Sequence, residues 1–317
     1  MNSASRAFMM CMLAAFAPVL EAQTYPSRPI TIIVPLAAGD SGDIAARTIG
    51  DELSKIVGTP VVTVNRPGAG GVVATETVVK AAPDGYTILF TQNSSLTYRP
   101  VMEPQTVPYD PVKDLAPLGL TSRSPMVLAV RGEAPYRTFK ELVAFAKARQ
   151  GQVRLGTPGS GSAADFGVSL MNALTGARLV SVPFNGASPA VNALRGEHIE
   201  GVVLTLGVLL GHIKSGALRG LTVSDKATEL PDVPTLPELG YPQGIFGVWF
   251  AFLAPSGTSP EVVHALVPAI RSASQVSDVG AKLSALGIVE EYAAPESVTL
   301  RIREEQQALR SLLKRAP

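Results

Sequence analysis

Residues 30–56 read ITIIVPLAAGDSGDIAARTIGDELSKI, and the fold turns on how that stretch is parsed. Ile30, Ile32, Ile33 and Val34 form a short apolar, β-branched run, the pattern of a buried strand. Gly39-Asp40-Ser41-Gly42 breaks it. Ile44, Ala45, Ile49, Leu53 and Ile56 then recur at helical spacing, and Gly58 with Pro60 ends the helix. Strand, small-residue turn and amphipathic helix thus follow one another directly. The unit repeats. Residues 61–64 read as a strand, 66–71 turn the chain into a helix over 72–82, Pro83-Asp84-Gly85 turns it again, and 86–91 form a third strand. Repeated β-loop-α units predict a mostly parallel sheet with helices on its faces.

Further along, residues 94–112 are less regular and hold several prolines, and 126–130 read as a strand crossing between lobes. A helix over 139–149 puts Leu142, Val143 and Ala146 on one face. The rhythm then resumes. Strand 153–156 leads into helix 163–175, strand 179–183 into helix 189–194, and strand 199–204 into the apolar stretch 206–213. Strand 218–223, a strand-like run over 245–254 and terminal helices over 260–272 and 295–314 complete the pattern. A chain of 317 residues exceeds one ordinary core. The expected fold class is α/β with two lobes: residues 23–128 with 250–317 in the first, 129–249 in the second. The strands near 126–130 and 248–253 would be the double crossing. Two α/β lobes on a double hinge make a clamshell that closes on a ligand.

Hydrophobic residues make up 46% of the chain and charged residues 17%, which excludes disorder. Basic and acidic residues number 27 and 26, so no basic excess is available for a nucleic-acid partner. Residues 1–22 read as a secretory signal. Arg6 precedes an apolar run over 7–20 that is shorter than the ~20 residues a membrane-crossing helix needs. Leu20 stands where a small residue is preferred, so cleavage is placed within a few residues of Ala22. The single cysteine, Cys11, lies inside this segment, which leaves the exported chain without a thiol or disulfide.

The inventory of reactive groups is thin. His198, His212 and His264 are scattered and fit no metal-binding motif, so neither metal nor cofactor is expected. Gly159-Ser160-Gly161-Ser162-Ala163 is out of register for a nucleophile elbow. Gly39-Asp40-Ser41-Gly42 spells the tetrapeptide around the nucleophile of trypsin-like proteases. Those enzymes, however, place a His before the Ser in an all-β fold, and here a helix follows directly. The stretch reads better as a turn and helix N-cap. A serine hydrolase using Ser41 or Ser160 stays open on that tetrapeptide alone and requires a base within reach.

More informative are three strand-to-helix loops of small, hydroxyl-rich residues, at 37–43, 157–164 and 185–189. Ser188-Pro189 reads as an N-cap followed by proline at the first helical position. A helix N-terminus offers unpaired N–H groups and about half a positive charge, which attract carboxylates and phosphates. In open α/β sheets the ligand crevice lies at the carboxyl ends of the strands, where these loops sit. Loops of this kind on both lobes point to an anion held between them.

The chain resembles the Bug-type periplasmic receptors of tripartite tricarboxylate transporters. The stretches that carry the resemblance are Tyr25-Pro26-Ser27-Arg28-Pro29-Ile30, Val34-Pro35-Leu36-Ala37-Ala38-Gly39 with Asp43 and Arg47, and Asn65-Arg66-Pro67-Gly68-Ala69-Gly70-Gly71. Others are Ala81-Ala82-Pro83-Asp84-Gly85-Tyr86, Pro108-Tyr109-Asp110-Pro111, Val182-Pro183-Phe184-Asn185-Gly186, His212-Ile213-Lys214-Ser215-Gly216 and Leu230-Pro231-Asp232-Val233-Pro234-Thr235. The resemblance implies a type II-like two-lobe periplasmic receptor, a monomer, that closes on a small organic acid and hands it to membrane permease components. It implies ligand contacts from Ala38, Gly39, Asp40 and Ser41 on one lobe and from Thr157, Ser160, Gly161, Ser162 and Ala163 on the other. Asn185, Gly186, Ala187 and Ser188 would line the second-lobe wall, with Asn93 and Ser94 nearby. A loaded receptor of this kind could equally dock on a sensor ectodomain, and the sequence leaves that open.

Two departures from the family pattern stand out. Asp40 occupies a position usually held by glycine, where a carboxylate repels an anion unless it turns away, caps the helix or is protonated. Leu204 and Thr205 replace a common Asp-Asn pair. If they face the pocket, the ligand carries an aliphatic or aromatic distal group rather than an ammonium; if Leu204 faces the core, it says nothing about the ligand.

Overall fold

The computed structural model describes residues 25–244 and 247–313. The expected leader at 1–22, residues 245–246 of the last strand-like run and Lys314 lie outside these. The strands are β1 (Ile30–Val34), β2 (Val61–Asn65), β3 (Thr87–Gln92), β4 (Leu115–Ser124), β5 (Met126–Arg131), β6 (Arg154–Thr157), β7 (Val180–Pro183), β8 (Gly201–Thr205), β9 (Leu218–Val223), β10 (Val248–Pro255) and β11 (Val289–Ala293). The helices are α1 (Ser41–Val57), α2 (Val72–Val79), α3 (Tyr98–Met102), α4 (Phe139–Ala148), α5 (Ala163–Thr175), α6 (Ala187–Arg195), α7 (Leu206–Lys214), α8 (Pro260–Ser274), α9 (Ser277–Ala285) and α10 (Pro295–Leu313). No described helix is long and apolar enough to cross a membrane.

The strands form two sheets. One is six-stranded, in the order β11-β4-β10-β3-β1-β2; the other is five-stranded, in the order β7-β6-β8-β5-β9. Each sheet is parallel where β-loop-α units build it: β1 pairs with β2 and β3, and β6 pairs with β7 and β8. Each turns antiparallel where the chain crosses or returns, at β10 beside β3 and β4, and at β5 beside β8 and β9. The sheets are therefore more mixed than β-loop-α repetition alone predicts. A strand that arrives from the other lobe runs opposite to those begun locally.

Sheet membership locates the crossings. β5 lies wholly in the second sheet and β10 wholly in the first, so neither straddles the lobes as the sequence pattern suggests. The first crossing falls at Pro125, between β4 and β5, and the second in the segment between β9 and β10. The two passes are stitched together: Met126 N–H donates to Ser224 Oγ at 2.9 Å, and Ser224 N–H donates to the Met126 carbonyl at 2.8 Å.

Buried apolar side chains from both lobes join in one continuous cluster that includes Ile32, Phe90 and Phe250 of the first and Leu128, Phe139 and Phe166 of the second. The ring of Tyr98 packs on that of Phe166 across the lobe boundary, with centroids 5.5 Å apart. On the hinge side the backbones themselves touch. A Cβ on Gly207 at the start of α7 would lie 1.8 Å from the Leu286 carbonyl oxygen of the first lobe, so only glycine fits. The C-terminal helix is docked by Trp249 Nε1, which donates to Glu305 Oε1 at 2.7 Å. Burial pushes that carboxyl's pKa up despite the indole and Arg301 beside it.

Candidate functional site

Strand order decides which loops share an end of each sheet. β1 and β3 are parallel neighbours, so the turn after β1 and the segment after β3 emerge side by side. β6 and β7 are likewise parallel, with Thr157 opposite Pro183. Their loops are joined directly: Phe184 N–H donates to the Thr157 carbonyl (2.9 Å) and Gly186 N–H to the Pro158 carbonyl (3.1 Å). Ser160, Gly161, Ser162, Asn185, Gly186, Ala187 and Ser188 thus form one lip of the second lobe. Helices α1, α5 and α6 begin in these loops, and each starts with first-turn N–H groups that its own backbone cannot satisfy.

The first-lobe turn at residues 37–40 is exposed. Asp40 is the N-cap of α1, extended at φ −64° and ψ 151°, and its carboxylate accepts from Gly42 N–H at 3.2 Å. Capping is one of the arrangements in which a carboxylate at this position tolerates an anionic neighbour. Replacing an N-cap Asp by Gly costs only a few tenths of a kcal/mol. Asp40→Gly is therefore expected to shift Tm by no more than about 1 °C and to leave acid affinity equal or tighter, measured by calorimetric titration. A tenfold loss would put the Asp40 carboxylate on the ligand.

Two aspartates hold the loops in shape. Asp43, 2% exposed, accepts from Gly39 N–H (2.9 Å), Asn65 Nδ2 (2.7 Å) and Arg47 Nε (3.1 Å). Burial alone would raise its pKa, but the donors from Asn65, the Gly39 amide and Arg47 outweigh it and hold the carboxyl below the usual aspartate range. Asp165 plays the matching part in the second lobe, accepting from Gly161 N–H (2.9 Å) and Ser181 Oγ (2.5 Å). Its own N–H donates to Ser162 Oγ at 3.2 Å, so Ser162 is the N-cap of α5. In both lobes a glycine amide donates to the aspartate four residues on. The amides of Gly39 and Gly161 are committed to these aspartates, and those of Gly42 and Asp165 to the caps Asp40 and Ser162.

Several sequence-derived site residues also have structural contacts of their own. Leu204 is 1% exposed and packs in the second-lobe core with Val127, Val191 and Leu209, so its replacement of a polar residue carries no message about the ligand. Asn93 and Ser94 are buried. Asn93 Nδ2 donates to the Gly247 carbonyl (3.0 Å) and to Tyr98 Oη (3.2 Å), tying the second crossing to the end of β3. Ser188 does not cap its helix: α6 starts earlier, at Ala187, with Gly186 as N-cap at φ +107°, and Ser188 and Pro189 lie in the first turn. Ala163 opens α5 and is buried, whereas Thr205 is half-buried at the N-cap of α7, opposite Met126. Thr157 is fully buried at the end of β6, with its Oγ1 unpaired.

Sequence reasoning missed two groups. The first is the pair of loop-holding aspartates, which a search for Gly-x-x-x-Asp after each strand would have flagged at Gly39/Asp43 and Gly161/Asp165. The second is Arg99, which follows β3 and reaches across to the second lobe. Nothing in its sequence surroundings marks it.

Residues 45–315 match the family described as tripartite tricarboxylate transporter family receptor. The protein BugT of Bordetella pertussis is 36% identical over 93% of this chain and 91% of its own length. A solved structure described as a periplasmic transporter superposes with a TM-score of 0.82 at 32% identity, covering 92% of this chain and 97% of that one. MatC from Rhodopseudomonas palustris, solved with bound malate, gives 0.80 at 28% identity and covers 91% of this chain and 99% of its own. A further R. palustris protein, solved with adipate, gives 0.81 at 26% identity over 92% and 98% of the two chains. The two mixed sheets flanked by helices are the two-lobe α/β fold of periplasmic binding proteins.

Proposed function

The chain belongs to the tripartite tricarboxylate transporter receptor family, and from that membership we propose that it captures a small organic carboxylate between its lobes and delivers it to the permease of such a transporter. The observation that carries this reading is the placement of helix N-termini at the strand ends of both lobes, α1 on one side and α5 with α6 on the other. Neither lobe alone surrounds an anion. Closing the lobes adds contacts that the open form lacks, so the ligand biases the equilibrium toward closure. Charge-assisted hydrogen bonds contribute ~1.5–3 kcal/mol each, and a few of them support micromolar binding after ordering costs. The malate and adipate bound in two similar structures support a ligand of that size. Export to the periplasm through the leader at 1–22 belongs to the same reading.

A thermal-shift screen of mono- and dicarboxylates, aliphatic and aromatic, tests it. An acid at a hundredfold excess over its Kd adds ~2.7 kcal/mol of stability. At least one acid is expected to raise Tm by roughly 5 °C or more. A flat response across the whole panel would contradict the reading.

A further inference from the structure

Arg99 sits on α3 in the first lobe, next to the Tyr98 ring that packs on Phe166 of the second. Its side chain is about nine-tenths buried. It runs between two glycines, one from each lobe. A Cβ on Gly70 would lie 3.3 Å from Arg99 Cδ, and one on Gly161 only 2.4 Å from Arg99 Nη1. Gly161 has φ +69° and lies in the loop that starts α5. The guanidinium of one lobe therefore rests against the anion-attracting turn of the other.

Its hydrogen bonding is incomplete. Nη1 donates to Glu103 Oε1 at 2.8 Å, but Nε is buried with no partner. Leaving a buried donor of a charged group unpaired is costly, and such groups are kept where a function needs them. The carboxylates around the gap are already engaged: Asp165 by Gly161 N–H and Ser181, Asp43 by Asn65, Gly39 and Arg47. Thr157 Oγ1, a second unpaired buried polar atom, lies at the start of the same second-lobe loop. Gly161, just before α5, presents no side chain of its own to the guanidinium.

We propose that Arg99 is a specificity-determining ligand contact: its Nε–H meets a carboxylate seated on the first turn of α5, and the ligand carries a second carboxylate for the first turn of α1. This rests on the solute-receptor reading and narrows its ligand class to dicarboxylates. A guanidinium shared with Glu103 at one end and a helix N-terminus at each favour two anionic groups over one. A monocarboxylate fills one seat only.

The test is calorimetric titration of the purified protein with three matched pairs: adipate and hexanoate, malate and 3-hydroxybutyrate, phthalate and benzoate. Wild type is expected to prefer the better-bound dicarboxylate over its one-carboxylate partner by at least tenfold. Arg99→Met keeps the aliphatic stem against Gly70 and removes the charge. It is expected to weaken that dicarboxylate at least thirtyfold and to shrink the preference to about threefold or less. Arg99→Lys should recover only part of the loss, since a lysine lacks the Nε–H. Arg99→Met binding the dicarboxylate as wild type does would overturn the assignment and leave the receptor reading standing. So would a wild type that binds each monocarboxylate as tightly as its partner, a result that needs no variant to fold. Wild type binding none of the six would overturn both.

Discussion

Gly161→Asp is expected to abolish the acid-induced thermal shift, with affinity falling a hundredfold or more. The new Cβ lies 2.4 Å from Arg99 Nη1, so the guanidinium must move, and the new carboxylate is placed to pair with it. A fixed negative charge then occupies the turn where the ligand's own charge would sit, and like charges in one site exclude each other. Aspartate tolerates the left-handed φ of +69° better than most residues. The unliganded protein should therefore stay folded, which circular dichroism and its own melting curve would establish. Gly161→Ala adds the steric conflict without the charge and should lose less affinity than Gly161→Asp. Equal losses would show that space alone, and not charge, governs the turn; an unchanged shift in Gly161→Asp would move the ligand elsewhere.

Asp43→Ala should cost more stability than any other single change at the first-lobe turn. It strips partners from Gly39 N–H, Asn65 Nδ2 and Arg47. Arg47 is 44% exposed and regains water, so its share is small. Removing the buried carboxylate from the other two donors gives an expected loss of about 2 kcal/mol, roughly 5 °C in Tm. Ligand affinity should fall at least tenfold, because the turn at residues 37–40 is no longer held to α1. The carboxyl's pKa is depressed in the folded state, so its contribution is full above the unfolded value near pH 4 and fades as pH falls through the folded value. The Tm difference between wild type and Asp43→Ala is therefore expected to be constant from about pH 5 to 7 and to narrow toward pH 3. A difference that widened in acid would assign the effect to another group.

Both predictions act through backbone shape, which explains what could be read from the sequence and what could not. The β-loop-α units were legible because strand and helix impose different periods on apolar residues. The helix expected over 163–175 and the strand over 218–223 stand where the pattern puts them. Asp40 as an N-cap was legible for the same local reason. β4 was not. It contains Pro117 and Gly119, ends in Thr121-Ser122-Arg123-Ser124, and yet is paired on both sides, by β10 and β11. Register shifts against β10 on either side of Gly119 absorb the irregularity, and only the tertiary pairing shows it. The facing of Leu204 could not be decided locally, since a strand buried on both faces has no polar alternation to reveal which side is the core. Arg99 was invisible because its partner surface, Gly161, belongs to the other lobe.

The most direct measurement is a crystal structure of the protein with the tightest acid from the screen. One ligand is expected between the lobes, with carboxylate oxygens about 2.7–3.1 Å from first-turn amides of both α1 and α5. A ligand that touches one lobe only, or sits on the outer surface of either, would contradict it.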